Sequence, residues 1–204
     1  MLLISEKTFE KISPNIKGVI HIGAHHGQEH VLYKKYNINK MIYFEPLKDV
    51  FEILKSNIKN EGILVNKALG NENKKVTMNV EKNNQSQSSS ILNPKIHLQQ
   101  YNWVHFNHKE EVDMIKLDDY EGDLSLYNFI NIDIQGYELE ALKGASKVLN
   151  NIDYILSEVN RAEVYEGCAH VKDLCDFLHT YGFELEEVSW AGETWGDAFF
   201  IKYE

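Results

Sequence analysis

Several features that would assign this chain to a common class are scarce or missing. Its 204 residues contain only two cysteines, Cys168 and Cys175, which is too few for a disulfide framework and is typical of a reducing compartment. No apolar run approaches the roughly 18 residues of a membrane span. The first ten residues lack a basic start and a cleavage signature, so we expect no signal peptide. These absences favour a cytoplasmic protein without a membrane partner.

Positive charge is also scarce. The chain has 21 Lys and Arg against 31 Asp and Glu, a formal net charge of −10. A surface this negative repels nucleic-acid phosphates unless basic residues collect on one face, and the sequence contains no basic run. We therefore expect a neutral ligand and no nucleic-acid partner.

Metal-binding motifs are missing as well. The nine histidines form no H-E-x-x-H motif, and no C-x-x-C motif is present. His25 and His26 are adjacent in the chain, so their rings cannot easily converge on one ion. We predict no metal centre.

The most informative feature that is present is a glycine-bearing loop between two apolar runs. Residues 19–22 lead into a loop that contains Gly23 and Gly27, and residues 41–44 end on Glu45. Glu45 lies 45 − 23 = 22 positions after Gly23, close to the roughly 20 typical of α/β nucleotide-binding folds. In such folds glycines let the backbone approach the ligand, and the acid accepts the ribose hydroxyls. The pattern predicts a nucleoside-containing cofactor.

The rest of the chain alternates apolar runs with helical periodicity, which indicates a mostly parallel sheet covered by helices. We predict strands at 18–22, 41–44, 63–65, 129–134 and 152–156. Helices are expected from Gly27 to about residue 36, from Pro46 at a first helical position to Ile58, over 139–149, and over 171–178. The last strands, 183–188 and 198–201, are joined by a loop too short for a crossover and must be antiparallel.

The middle of the chain departs from this alternation. Val76, Met78 and Val80 predict a half-buried strand, paired with a strand over 112–117. Residues 83–90 form a polar loop. Residues 91–111 are aromatic and irregular, and we expect them to cover one end of the sheet as a flap.

Several short motifs in this order resemble the FkbM family of S-adenosylmethionine-dependent methyltransferases over about residues 18–201. They are H-I-G-A-H-H-G at 21–27, F-E-P at 44–46, K-A-L-G at 67–70, the serine-rich 86–90, L-D at 117–118, N-I-D-I-Q-G-Y-E at 131–138, L-S-E at 156–158 and G-D-A-F at 196–199. Two positions differ from the resemblance: many members carry aspartate in place of His21 and lysine in place of Asn131.

The resemblance implies an α/β, class I Rossmann-like methyltransferase fold. This fold is a three-layer sandwich whose mostly parallel, seven-stranded sheet ends in an antiparallel hairpin. An inserted strand pair is expected in addition. We expect one methyltransferase domain over residues 1–204.

The resemblance also implies the cofactor, S-adenosyl-L-methionine, and residues to bind it. Gly23 and Gly27 would let the backbone pass close to the methionine and ribose parts. Ala24 and His25 would line the same loop. Glu45 would accept both ribose hydroxyls.

Further cofactor contacts are expected from Pro46, which follows that acid, and from Ala68 and Leu69, which would lie against the adenine ring. Asp133 also belongs to the expected cofactor site. Each of these residues has a simpler alternative role in a turn or an apolar wall.

Two acids are candidates for the chemistry, because each follows an apolar run that ends at the ligand-binding edge of the sheet. Asp133 is the leading candidate for the base that accepts the proton of the methyl acceptor, and Glu158 is the second. Glu138 is expected to order the start of a helix. The alternative is that these acids only satisfy helix termini and loop amides.

The leading functional hypothesis is an O-methyltransferase that acts on a hydroxyl of a small molecule or glycan. One rival is an NAD-dependent oxidoreductase, which would require G-x-G-x-x-G, a motif that residues 23–27 do not provide. The other rival is a binding module that has lost catalysis. Acceptor choice is expected to depend on residues 91–111 and 189–197, and the sequence leaves the oligomeric state open.

Overall fold

The computed structural model describes residues 6–203, which contain ten strands and six α-helices. The strands are β1 (Val19–Ile22), β2 (Met41–Phe44), β3 (Ile63–Val65), β4 (Ala68–Leu69), β5 (Lys74–Val80), β6 (His108–Ile115), β7 (Phe129–Ile132), β8 (Tyr154–Asn160), β9 (Phe183–Trp190) and β10 (Trp195–Lys202). The helices are α1 (Glu6–Ile12), α2 (His30–Lys35), α3 (Lys48–Ile58), α4 (His97–Gln100), α5 (Glu138–Lys143) and α6 (Val171–His179).

Seven strands form the main sheet in the order β3-β2-β1-β7-β8-β10-β9. The pairs from β3 to β8 are parallel, and β10 is antiparallel to both of its neighbours. The chain builds outward from β1 through β2 to β3, then returns to build from β7 in the other direction. A topological switch point therefore lies between β1 and β7, where open α/β sheets bind their ligands.

Helices cover both faces of this sheet. Side chains along β1 alternate, so Ile20 and Ile22 join one core cluster and Val19 joins the other. The first cluster includes buried residues of α5 and α6, and the second includes buried residues of α1, α2 and α3. This three-layer arrangement with a terminal hairpin confirms the predicted fold class.

A small second sheet has the order β4-β6-β5. The predicted pairing of the two strands is confirmed, with Val76 opposite Val112. The second of them runs over His108–Ile115 rather than 112–117, and the insert has three strands rather than two. Ala68 and Leu69 pair in parallel with Met114 and Ile115. Two residues are too few to show alternation in the sequence, so this strand could not be recognised from its pattern.

Two helices begin later than predicted. Gly27 has a left-handed φ of 77°, so it cannot start a helix, and α2 begins at His30. Pro46 lies before α3 rather than at its first position, because Leu47 is extended with ψ 122°. The side chain of Glu45 accepts a hydrogen bond from the Leu47 N–H at 2.9 Å, which stabilises this extended entry to α3.

The predicted helix over 139–149 is broken after Lys143. Gly144 lies against the chain at the end of β4: a Cβ at this position would be 1.9 Å from the carbonyl oxygen of Gly70. This close approach ends α5, and a separate 3₁₀ helix follows at Val148–Asn151.

Strand β8 is longer than predicted. It runs to Asn160, so Glu158 lies inside the strand rather than at its end, opposite Asp197 of β10. The sequence pattern misses this extension because the apolar run stops at Leu156, whereas pairing with the hairpin continues. Among residues 6–203, no helix has the length and apolar character to cross a membrane.

Candidate active site

The candidate site lies at the switch point, where the loops after β1 and β7 touch. The Asp133 N–H donates to the carbonyl oxygen of Ile22 at 3.0 Å. Gly23 has a φ of 78°, and a Cβ here would be 1.9 Å from the carbonyl oxygen of Asp133. Glycine at position 23 is therefore required for the two loops to meet.

Two cavities open on either side of this contact. The large chamber has a volume of about 290 Å³ and the small chamber about 60 Å³. They share a boundary formed by five residues: Gly23, His25, Gln87, Asp133 and Gln135. A ligand in one chamber would therefore lie directly against a ligand in the other.

Glu45 is buried in the wall of the small chamber. Its carboxylate accepts the N–H of His25 at 3.0 Å and the N–H of Leu47 at 2.9 Å, so it holds the glycine loop and the entry to α3 together. Burial raises the pKa of Glu45 to about 7, although these two hydrogen bonds oppose the shift. A carboxylate has about four acceptor positions, so capacity remains for ligand hydroxyls.

Apolar side chains form much of the rest of the small chamber. Pro46, Ala68 and Leu69 all line it, as the sequence predicts for a cofactor site. Met78 of β5 and Ile91 complete an apolar wall from the second sheet and the segment after it. The second sheet therefore serves to enclose this chamber.

The remaining glycine-loop residues have different surroundings. Ala24 lines the large chamber and His25 lines both. Gly27 lines neither: a Cβ there would be 2.8 Å from Ile58 Cδ1 and 2.9 Å from Leu54 Cδ1, so this glycine allows close packing against α3. A cofactor contact by Gly27 has no support in this geometry.

His25 connects the glycine loop to the polar loop at 83–90. Its Nε2 lies 2.6 Å from the carbonyl oxygen of Gln85, and its Nδ1 lies 2.9 Å from Nε2 of Gln28. A neutral ring that donates from Nε2 and accepts at Nδ1 satisfies both contacts. The ring also stacks on that of His26 with centroids 3.8 Å apart.

Three carboxyl groups converge beneath the boundary of the chambers. Oxygen atoms of Asp133, Glu138 and Glu158 all lie within 4.8 Å of one another. Oxygen ligands at this spacing could also hold a divalent cation, so the predicted lack of a metal centre stays a prediction.

Glu138 has the ordering role that the sequence predicts. It is buried, and its Oε1 accepts the N–H of Ile134 at 2.9 Å and the N–H of Gly136 at 3.1 Å. Burial raises the pKa of Glu138 to about 7. Its carboxyl group fixes the loop that carries the other functional residues.

Asp133 and Glu158 differ in access to solvent. Asp133 is exposed to both chambers, whereas Glu158 is buried. Burial, and then repulsion by the carboxylates of Asp133 and Glu138, raises the pKa of Glu158 well above its ordinary value. Burial raises the pKa of Asp133 as well. Asp133 is the acid of this pair that lies on both chambers, so a ligand in either one can reach it.

Gln135 lies between these two acids and was not recognised as a site residue from the sequence. Its side-chain Nε2 donates to Asp133 Oδ1 at 2.7 Å and to Glu158 Oε2 at 3.1 Å. The Tyr165 hydroxyl lies 2.8 Å from Gln135 Oε1. The N-I-D-I-Q-G-Y-E motif contains Gln135, but nothing local indicates its contacts with Glu158 and Tyr165.

A cluster of neutral polar side chains lies beneath the glycine loop, at positions where the family resemblance would place charged ones. His21 and Asn131 are directly paired across β1 and β7, and both line the large chamber. Asn131 Nδ2 donates to the Tyr33 hydroxyl at 2.8 Å and lies 3.4 Å from His21 Nε2. Burial lowers the pKa of His21 to about 4, so the ring is neutral near pH 7. The two positions that differ from the family pattern are therefore neighbours.

The predicted flap covers the large chamber. His97, Tyr101 and Trp103 of this segment line it, together with Trp195 of the terminal hairpin. The Trp195 Nε1–H donates to the Tyr101 hydroxyl at 2.9 Å, which joins the flap to the hairpin. His97 is buried, and its Nδ1 has no hydrogen-bond partner among the described residues.

Solved structures with this architecture identify the fold. Magnesium protoporphyrin IX methyltransferase (ChlM) from Synechocystis PCC 6803, solved with bound SAM, matches with a TM-score of 0.54 and 8% identity over 97% of this chain and 79% of that one. The ribosomal protein L11 methylase of Lactobacillus delbrueckii subsp. bulgaricus matches with a TM-score of 0.51 and 11% identity over 92% and 71%. The fold is that of class I methyltransferases.

The family follows from the sequence itself. The sequence model of the methyltransferase FkbM domain matches residues 21–185, and the chain belongs to this family. S-Adenosylmethionine is its cofactor. The named relative 2-O-methyltransferase NoeI of Sinorhizobium fredii (strain NBRC 101917 / NGR234) is 33% identical over 96 residues, which are 46% of this chain and 40% of NoeI. The match thus spans less than half the length of that relative.

Proposed function

We propose that this chain transfers a methyl group from S-adenosylmethionine to a hydroxyl oxygen of a small molecule or glycan. The observation that carries the proposal is the pair of adjoining chambers. The small chamber has a buried carboxylate, Glu45, and the large chamber has an acid pair, Asp133 and Glu158. Asp133 lies on the boundary between them, where a bound cofactor and an acceptor would meet.

The small chamber suits the adenosine part of the cofactor. Ala68 and Leu69 offer an apolar surface to a flat ring, and the Glu45 carboxylate offers acceptor positions to the ribose hydroxyls. Gly23 leaves the backbone open where the methionine part would cross into the large chamber. When bound, S-adenosylmethionine supplies an electrophilic methyl group on a sulfonium.

The large chamber suits a hydroxyl acceptor. Its residues need to hold the acceptor oxygen roughly 3 Å from the methyl carbon and in line with the breaking bond. As the new O–C bond forms, the C–S bond breaks and its electron pair stays on sulfur. The hydroxyl proton passes to the Asp133 carboxylate, and the raised pKa of the neighbouring Glu158 favours the protonated form of that second acid.

The charges around the large chamber support an acceptor without phosphate groups. Carboxyl side chains line it at Glu29, Asp133, Glu158 and Asp197, and no Lys or Arg belongs to the described residues that line it. A nucleic-acid backbone would be repelled there. The relative NoeI bears the name 2-O-methyltransferase, which also supports transfer to oxygen.

The two cysteines support a location for the protein, and the acid pair supports catalytic activity. Cys168 and Cys175 are both free thiols, which supports a cytoplasmic location. The exposed Asp133 beside Glu158, whose pKa is raised well above its ordinary value, supports an active enzyme over a binding module without catalysis.

A panel of ligands tests the proposal. We expect S-adenosylmethionine and S-adenosylhomocysteine to raise the melting temperature and NAD to leave it unchanged. Hydroxyl compounds, amines and RNA are then incubated with the protein and cofactor, and products are identified by mass spectrometry. Methylation confined to hydroxyl compounds supports the proposal. Stabilisation by NAD alone, or methylation of RNA alone, would contradict it.

A further inference from the structure

We infer that Gln135 is a positioning residue: it holds Asp133 and Glu158 as one acid pair, and Tyr165 fixes it in place. Its significance for proton transfer rests on the proposed function. The inference itself concerns the acid pair in the unliganded protein, so it can be tested whether or not the cofactor binds.

The side chain of Gln135 makes a hydrogen bond with each of the two acids. The Gln135 amide nitrogen carries two hydrogens, and it lies 2.7 Å from Asp133 Oδ1 and 3.1 Å from Glu158 Oε2. One hydrogen therefore serves each acid. Donors directed at carboxyl oxygens stabilise the ionised form, so Gln135 opposes the rise in pKa that burial imposes on the acid pair.

The second support is the anchor on the opposite side of the amide. The Tyr165 hydroxyl lies 2.8 Å from Gln135 Oε1 and also 2.8 Å from the Ser88 carbonyl oxygen. The Ser90 hydroxyl donates to the Gln135 backbone carbonyl at 2.7 Å. Gln135 is therefore held on both its side chain and its backbone, and the serine-rich loop is connected to the acid pair through it.

The third support is the backbone of Gln135. Its φ of 56° lies in the left-handed region that side-chain-bearing residues rarely adopt, and Gly136 follows with a φ of 99°. Glu138 stabilises this turn by accepting the N–H groups of Ile134 and Gly136. The turn aims the Gln135 side chain across the gap between the acids.

The charges that face the acid pair are predominantly negative. Carboxyl groups of Glu29, Glu138 and Asp197 and the Tyr165 hydroxyl act on Asp133 or Glu158 from the surrounding elements. With like charges on several sides, loss of the Gln135 donors leaves the ionised forms less stable. The pKa values of the acid pair should then rise.

Gln135→Asn tests this inference without a steric penalty. Asparagine keeps an amide and tolerates a left-handed backbone, but it is one methylene shorter and cannot reach both acids. Gln135→Leu removes the amide altogether. The matched control is Gln87→Leu, because Gln87 lines the same boundary and, among the described residues, makes no hydrogen bond to either acid.

The measurement is a pH titration of the protonated-carboxyl infrared band in the unliganded protein, with the Glu158 band assigned by its loss in Glu158→Gln. We expect the transition to move upward by about one pH unit, a tenfold change in proton affinity, in both Gln135 variants. Tyr165→Phe should give a smaller shift in the same direction, and Gln87→Leu none.

A parent-like titration in Gln135→Asn and Gln135→Leu, with unchanged circular dichroism, would overturn the inference. Failure of S-adenosylmethionine to bind would contradict the proposed function and leave this result unaffected.

Discussion

The two chambers of the site are built in different ways. The small chamber is lined by the loops after β1 and β2, with the buried Glu45 in its wall, and by apolar residues of the second sheet. The large chamber is assembled from the flap, the terminal hairpin and an acid pair contributed by the loop after β7 and by β8. The glycine loop and Glu45 of the proposed cofactor site come from local sequence motifs, whereas the proposed acceptor site depends more on contacts between distant segments.

Asp133→Asn is the most severe test of the different roles proposed for the two chambers. If Asp133 receives the acceptor proton, the substitution should slow methyl transfer by roughly 10²–10⁴-fold, the usual contribution of a positioned base. The affinity for S-adenosylmethionine should change much less. Single-turnover rates and calorimetry measure the two effects separately.

A control for Asp133→Asn is Asp119→Asn, at an acid outside both chambers. Equal turnover in Asp133→Asn and the parent would remove Asp133 from the role of base.

The second test concerns the small chamber alone. Glu45→Ala should weaken S-adenosylmethionine binding by roughly 10–100-fold, because hydrogen bonds to a charged group contribute about 1.5–3 kcal/mol. Calorimetry measures the affinity, and circular dichroism checks that the fold is retained. Glu110→Ala is a suitable control, since Glu110 lies outside the chambers but also accepts a backbone N–H, that of Lys48. Unchanged affinity in Glu45→Ala would exclude it from the site.

The third test uses pH. Burial raises the pKa of Glu45 from 4.5 to about 7, so the folded protein binds this proton more tightly than the unfolded chain does. The resulting stabilisation is complete below the unfolded pKa and is lost as pH rises through the folded one. Cofactor binding uses the ionised form, so affinity should increase as pH rises through this range.

Calorimetry at about pH 6 and about pH 8 measures this dependence, and Glu45→Gln should reduce it. If cofactor affinity depends on pH equally in Glu45→Gln and in the parent, a group other than Glu45 causes that dependence.

The smallest expected effect lies at the junction of flap and hairpin. Trp195→Phe removes the donor to the Tyr101 hydroxyl and should lower the free energy of unfolding by about 0.5–1.5 kcal/mol. Cofactor affinity should not change, whereas the KM for the acceptor should rise. Comparison with Tyr101→Phe and the double variant measures the coupling, and fully additive effects would show that this bond contributes nothing.

The sequence predicts the fold and the small chamber well because their signals are local. The apolar runs of β1 and β2, the glycine at position 23 and the acid at position 45 can each be recognised from a few neighbouring residues. The short β4 strand and the break after Lys143 depend on packing between separate elements, and no local pattern records them.

The large chamber depends even more on contacts between separate elements, which no local sequence pattern records. Gln135 was visible only as part of a motif, and its partner Tyr165 lies 30 residues further along the chain. Glu158 was found, but its position inside β8 depends on pairing with the terminal hairpin. Such long-range contacts require the three-dimensional structure.

The direct pairing of His21 with Asn131 has a consequence for charged substitutions at these two positions. An aspartate and a lysine at these two positions would face each other as opposite charges across the centre of the sheet. A charged residue at only one of the two positions would be buried without a partner of opposite charge, which costs several kcal/mol. We therefore expect His21→Asp to lower the free energy of unfolding more than His21→Asp combined with Asn131→Lys.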